Sequence, residues 1–300
     1  MGFIRRALKT RSEDPFNPLV IQLNKGVEKL TKVIMILLLT AGGLVMVLPF
    51  VWMVLTSLKT KEEIYRFPPT LIPDNIFNLA NYVKVFQLQP FGQFILNSLI
   101  VSAGATLVSL LVSSLAGYAF AKYKFPGKEV IFFLFIMSVL IIPFEVVVIP
   151  LYLMYSRVHL NNTLLGVMGP SLVSAFGIFI MRQFMQSVPD DYIDAARIDG
   201  LSEFGIFLHI VLPLSGPALA TLGTIKFIWT WNDFLWPLII AETNQAKVVT
   251  LGVANYVGMW WTSYEVVTAA ATISVIPALI LFVVLQRMIV RGVTMTGLKG

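Results

Sequence analysis

Six charge-poor apolar runs alternate with polar segments along the 300 residues. A bilayer core takes roughly 20 residues of helix, because backbone amides left unpaired in hydrocarbon are costly. The runs are Val33 to Leu58, a second within Val85 to Ala121 that is most apolar from Phe94 onward, Val130 to Met154, about Leu164 to Met181, about Val211 to Ile240, and Val266 to Gln286. Glu145 lies in the third, and Lys226 and Asp233 in the fifth. The pattern predicts an all-α polytopic membrane protein with six transmembrane helices and both termini on one side. It divides into a basic segment over 1–32, a six-span domain over 33–290 and a tail over 291–300.

Composition agrees. Charged residues are 13% and hydrophobic ones 57% of the chain, against roughly 25% charged in a soluble protein. A mean hydropathy of +0.82 leaves too little polar sequence to clothe a water-exposed surface. Cysteine is absent and only His159 and His209 are histidines, so disulfides, thiol chemistry and Cys- or His-based metal clusters are excluded. The net charge of +6 belongs to loops that set orientation rather than to nucleic-acid binding. Placing the N-terminus inside puts 15 Lys and Arg on the cytoplasmic side and 6 outside, with Lys226 within a span. Both termini are therefore expected in the cytoplasm. The N-terminal segment has no short apolar core followed by a small-residue cleavage site, so the first span is expected to be an uncleaved anchor.

The cytoplasmic loop over 182–210 carries the densest local signal. Pro189 suits the first turn of a helix, and Asp190 and Asp191 complement the positive end of its dipole. Ile193, Ala196 and Ile198 give it an apolar side. Gly200 permits the positive φ that ends it, and Ser202 can cap a second short helix. The acids Asp190, Asp191, Asp194, Asp199 and Glu203 outnumber Arg182 and Arg197 beside a leaflet that is usually anionic. A protein partner explains that balance better than lipid does.

Asp194-Ala195-Ala196, then Gly200, then, after nine intervening residues, Ile210-Val-Leu-Pro213 resembles the EAA loop of permease subunits in binding-protein-dependent ABC importers. Ile142-Pro-Phe-Glu145, Ile149-Pro-Leu-Tyr152, Asn162-Thr-Leu-Leu-Gly166, Phe227-Ile-Trp-Thr-Trp-Asn-Asp-Phe-Leu-Trp-Pro237 and Gly297-Leu-Lys-Gly300 look like the maltose-transporter MalG-like half, over roughly residues 30 to 300. Asp194 departs from the family's glutamate by one methylene. The resemblance implies the type I ABC importer permease fold in the inner membrane of a prokaryote. It also implies a coupling helix, carried by Asp194, Ala195, Ala196, Asp199, Gly200, Phe204 and Pro213, docked in a cleft of a separate ATPase. The implied partners are a second, MalF-like permease subunit, an ATPase dimer and an extracytoplasmic sugar-binding protein. The tail from Val293 is similar to C-termini that reach the ATPase pair; a disordered tail is the alternative. No cofactor is expected on this chain; ATP and Mg²⁺ belong to the partner.

Charges in a span face a cavity or a partner by default. Lys226 and Asp233 are seven apart and fall on nearly one face of a continuous helix, with Trp229 between them. If that helix starts near Val211, Trp229 lies about 27 Å along it at 1.5 Å per residue. The tryptophans then form either an aromatic belt or a stacking wall for sugar. Trp229, Trp231, Asn232, Asp233 and Glu145 are the candidate substrate path; Glu145, between Pro143 and Pro150, also suits a structural role. The outer loop from Glu242 to Glu265 carries Asn255, Tyr256, Met259, Trp260 and Trp261, expected to dock the binding protein or to anchor at the interface. No Gly-x-x-x-x-Gly-Lys-Ser/Thr loop and no His-Glu-x-x-His occurs, so neither P-loop nucleotide binding nor that metalloprotease chemistry is available. The alternative function is a self-contained ion-coupled transporter using Glu145, Lys226 and Asp233.

Overall fold

The computed structural model describes residues 18–258 and 262–296. Residues 1–55 and 56–300 form two compact units. The first contains nearly all of α1 (Pro18–Ser57), whose stretch from Lys29 to Ser57 is long and apolar enough to cross a membrane.

In the second unit, α2 (Phe91–Lys122) and α12 (Tyr264–Thr296) contain spans of their own. Between them lie α3 (Lys128–Ile141) and α4 (Phe144–Arg157), α5 (Leu164–Met168) and α6 (Ala175–Gln186), and the short helices α7 (Asp190–Ile198) and α8 (Glu203–Ile206). There follow α9 (Gly216–Trp231), α10 (Leu235–Ile240) and α11 (Val249–Ala254). Three bent pairs complete a set of six candidate spans by length and composition.

The bends have local causes. Ile142-Pro143 separates α3 from α4, since proline removes an amide donor and turns its predecessor away from helix. The 3₁₀ turn Gly169–Ser171 and the Ser174 cap divide span four, which bends by 48°. The fifth span is bent by 77° at Ser215, just before Gly216-Pro217. The single helix expected from Val211 to Ile240 is therefore three pieces. Trp229 lies 13 residues into α9, about 20 Å along it, not 27 Å.

α2 is the axis of this unit. Its buried residues Ser98, Val101, Ser102, Ala105, Thr106, Ser109, Ser113 and Gly117 recur at helical spacing, and it packs against α6 and α9. Small side chains permit close backbone approach where dispersion rather than water exclusion drives association. Gly117 shows the limit: a Cβ there would stand 2.6 Å from Met181 Cβ and 2.9 Å from the Arg182 backbone nitrogen. A separate cluster of Tyr118, Met181, Met185, Ile193, Ala196, Ile206 and Phe207 seats the helix pair α7–α8 on the ends of α2 and α6.

Candidate functional site: the α7–α8 hairpin

α7 begins where expected, with Pro189 one position earlier than anticipated, at the N-cap in extended conformation. It ends because Gly200 takes φ +82°. The Leu201 amide then reaches the Ala196 carbonyl at 3.0 Å and the Gly200 amide the Arg197 carbonyl at 3.0 Å, satisfying carbonyls the helix end leaves open. Ser202 Oγ accepts the Gly205 amide at 3.2 Å and caps α8.

The apolar side of α7 differs from the expected one. Ile193 and Ala196 are buried against α6, α8 and the following turn, but Ile198 is 87% exposed. Phe204, 64% exposed, Tyr192 and Leu201 are exposed as well. Asp194, Ala195, Asp199 and Gly200 lie on the exposed surface of the hairpin, and Pro213 is exposed beyond it.

Its charges are mostly spent within the chain. Arg197 donates to Glu203 (Nε to Oε1, 2.7 Å) and to Asp194 (Nη1 to Oδ1, 3.0 Å). Lys122 donates to Asp190 Oδ1 and to the Val188 carbonyl, each at 2.6 Å. Tyr123 donates its hydroxyl to Glu203 Oε2 at 2.8 Å. Asp191 and Asp199 are exposed and make no ion pair among the described residues. Lys122 holds the Asp190 carboxyl below its ordinary range by hydrogen bond and by charge. The Glu203 hydrogen bond raises the Arg197 guanidinium above its ordinary value.

Behind the hairpin, Arg182 forks onto Glu129 at 2.9 and 2.7 Å and lies 4.1 Å over the Phe132 ring. Lys122, Tyr123, Glu129 and Arg182 carry no sign in the local sequence of what they pair with, because their partners lie 53 to 80 residues away.

The candidate path residues separate. Trp231 is 3% exposed, stacks on Phe227 with centroids 5.9 Å apart and donates Nε1–H to the Ser274 carbonyl at 3.1 Å. Trp229 is 53% exposed and tilts against Phe176. Asn232 is exposed, with its amide on the Ile228 carbonyl at 2.9 Å. Asp233 lies beyond the end of α9, and its carboxylate faces the backbone amides of Phe234, Leu235 and Trp236 at the start of α10. The continuous helix expected to carry both Lys226 and Asp233 stops at Trp231, between them, although the two charges remain within electrostatic reach of each other. Glu145 is exposed in the first turn of α4.

On the loop from Glu242 to Glu265, Asn255 is exposed and donates to Gln89 Oε1 at 3.0 Å. Tyr256 is buried and donates to the Val85 carbonyl at 2.6 Å; burial pushes its phenol up to about 12. Met259, Trp260, Trp261 and the tail 297–300 lie outside the described residues.

The bent spans, together with a hairpin seated on the ends of α2 and α6, define the class: an all-helical permease of ABC-importer architecture. The fold is that of a chain in a bacterial ABC transporter involved in the import of the acidic polysaccharide alginate. The TM-score is 0.74 at 20% identity, covering 87% of this chain and 97% of that one. More particularly, the chain belongs to the family of inner membrane components of binding-protein-dependent transport systems, whose model matches residues 109–295. It is 35% identical over 269 residues to the arabinooligosaccharides transport system permease protein AraQ of Halalkalibacterium halodurans, covering 88% of this chain and 96% of that protein. It is 33% identical over 262 residues to the sn-glycerol-3-phosphate transport system permease protein UgpE of Escherichia coli, covering 85% and 93%. The chain is thus a multi-pass inner membrane permease subunit of an ABC importer, and the ATPase is a separate subunit. That agrees with the resemblance read from the EAA loop and decides against the self-contained ion-coupled alternative.

Proposed function

We propose that this chain is the MalG-like half of a heterodimeric permease for saccharides or related polyols. The α7–α8 hairpin docks in a cleft of the ATPase subunit, which binds ATP and Mg²⁺. The observation that carries this reading is the exposed apolar set of Ile198, Leu201 and Phe204 on a hairpin whose other face is buried in the chain's own core. Exposed apolar groups beside unpaired carboxylates, here Asp191 and Asp199, suit a protein cleft lined with bases.

On this reading both termini, with the segments 1–32 and 291–300, face the cytoplasm, as the excess of Lys and Arg there favours. ATP-driven closure of the ATPase pair draws the hairpins inward and shifts the spans from inward-facing to outward-facing, a two-state change biased from a second site. The binding protein then docks on the outer loops, with Asn255, Met259, Trp260 and Trp261 as its contacts, and releases its ligand. Trp229, Asn232, Asp233 and Glu145 line the path, and Trp231 and Tyr256 brace the walls.

The test is Ile198→Asp. The side chain contributes almost nothing to the chain's own packing, so insertion and thermal stability should be unchanged. Co-purification of the ATPase and substrate uptake should both be lost. Normal uptake by Ile198→Asp would remove the docking role.

A further inference from the structure

α2 is built differently from the other spans. Among the described residues it is the one long span with neither a break nor an internal proline: α1 contains Pro49, α12 contains Pro277, and the remaining three spans are bent pairs. An uninterrupted helix transmits a displacement along its axis, whereas a break absorbs it.

Both ends of this helix are fastened to a loop. At the inner end, the consecutive residues Lys122 and Tyr123 hold the two members of the hairpin separately. Lys122 takes Asp190, the first residue of α7, and Tyr123 takes Glu203, the first residue of α8. The Lys122 side chain is only 8% exposed, and the Tyr123 ring packs edge-on against Tyr118 one turn earlier, at 5.5 Å. Near the outer end, Asn97 donates to the Gln245 and Lys247 carbonyls at 2.9 and 2.8 Å, and Ser98 Oγ accepts the Val249 amide at 2.7 Å. Those contacts fix the start of the loop that leads through α11 to Asn255 and Tyr256. From Asn97 to Lys122 the helix is about 37 Å long at 1.5 Å per residue.

We propose that α2 is the connecting rod of the transporter, with Lys122 and Tyr123 fastening it to the ATPase-docking hairpin and Asn97 fastening it to the outer loop that meets the binding protein. The proposal rests on the docking reading above. A push on the hairpin moves the rod, the rod moves the segment 245–249, and arrival of the binding protein outside is felt by the ATPase through the same helix in reverse. Reciprocity of that kind is required of any coupling between two sites. The residues named are positioning residues and touch neither nucleotide nor substrate.

The experiment uses the full transporter in lipid vesicles, with its own binding protein purified together with its endogenous ligand. The reading is stimulation of ATP hydrolysis by that protein. The inner fastening is cut by Lys122→Met with Tyr123→Phe, the outer one by Asn97→Ala, and both are then combined. Each cut should leave ATPase co-purification and unstimulated hydrolysis unchanged and lower stimulation roughly five- to tenfold, the size of an ordinary allosteric coupling. The combination should lose no more than the larger single cut, because a rod severed at one end transmits nothing from the other.

Stimulation that stays at the wild-type level after either cut, or losses that multiply in the combination, overturns the rod. Should the inner double variant fail to assemble, Tyr123→Phe alone serves: it removes one oxygen atom and keeps the ring against Tyr118. Ile198→Asp, run alongside, separates the two ideas. If it leaves uptake intact, the docking reading and the rod both fall. If it abolishes ATPase binding while the fastening variants behave as wild type, the rod alone falls.

Discussion

Arg197 closes the Gly200 turn by reaching Glu203 across it, Nε to Oε1 at 2.7 Å and Nη2 to Oε2 at 3.3 Å. Both side chains are about half exposed, so the pair gives geometry more than stability. A two-point fork fixes the angle between α7 and α8 in a way a point charge does not. Arg197→Lys should therefore leave expression and melting unchanged while loosening the hairpin. Amide exchange at Gly200 and Leu201 should quicken, and uptake should fall several-fold. Unaltered exchange in the variant would show that the Gly200 backbone alone sets the angle.

Two glycines in apolar helices should respond oppositely to the same change. Gly117→Ala places a methyl within 2.6 Å of Met181 Cβ and 2.9 Å of backbone, and overpacking of that kind costs about 1–3 kcal/mol. A Cβ on Gly42 in α1 meets nothing within 4 Å, so Gly42→Ala should gain helix propensity, up to about 1 kcal/mol. Thermal melting in detergent should show the first falling and the second level or rising. Equal shifts would mean that α2 and α6 approach less closely than described.

The Lys122–Asp190 clamp should be insensitive to mild acid. Lys122 lowers the Asp190 carboxyl by hydrogen bond and charge, with smaller help from Arg197 and Lys124. For a depressed acid, the stabilisation is complete above the unfolded value and is lost as pH falls through the lower folded one. Between about pH 7 and pH 5, well above the ordinary aspartate value of about 3.9, hairpin protection against amide exchange should be flat; below about 4 it should decline. Asp190→Asn should shrink that acid limb to the part due to Glu203, whose carboxyl the Arg197 and Tyr123 hydrogen bonds also hold below its ordinary range. An acid limb of unchanged size in the variant would exclude Asp190 as a contributor.

The neighbouring tryptophans Trp229 and Trp231 should separate stability from transport. Trp231→Phe removes the hydrogen bond to the part-buried Ser274 carbonyl, a loss of about 0.5–1.5 kcal/mol, which should lower melting with little change in KM for uptake. Trp229, half exposed and off the core, should do the reverse: Trp229→Ala should alter KM and leave melting nearly unchanged. Coincident effects in the two variants would make the path assignment of Trp229 untenable.

The sequence by itself determined what depends on residues near one another along the chain. Hydrocarbon demands long charge-free runs, so six spans were legible from hydropathy. Backbone chemistry is equally local, so Gly200 and Ser202 announced the end of one short helix and the cap of the next. The 77° bend in span five also had a local sign, Ser215-Gly216-Pro217, which hydropathy alone passed over because all three sit inside an apolar run. Tertiary structure decided what depends on rotation and on distant partners. Periodicity gave α7 an apolar side but not its width, so Ile198, expected inside with Ile193 and Ala196, projects outward. Composition counted five acids in the hairpin, but only the fold gives Asp190 to Lys122 and Glu203 to Tyr123, partners 68 and 80 residues away. A side chain's charge is written in the sequence; the group that neutralises it is chosen by which helix ends the packing of α2 brings together.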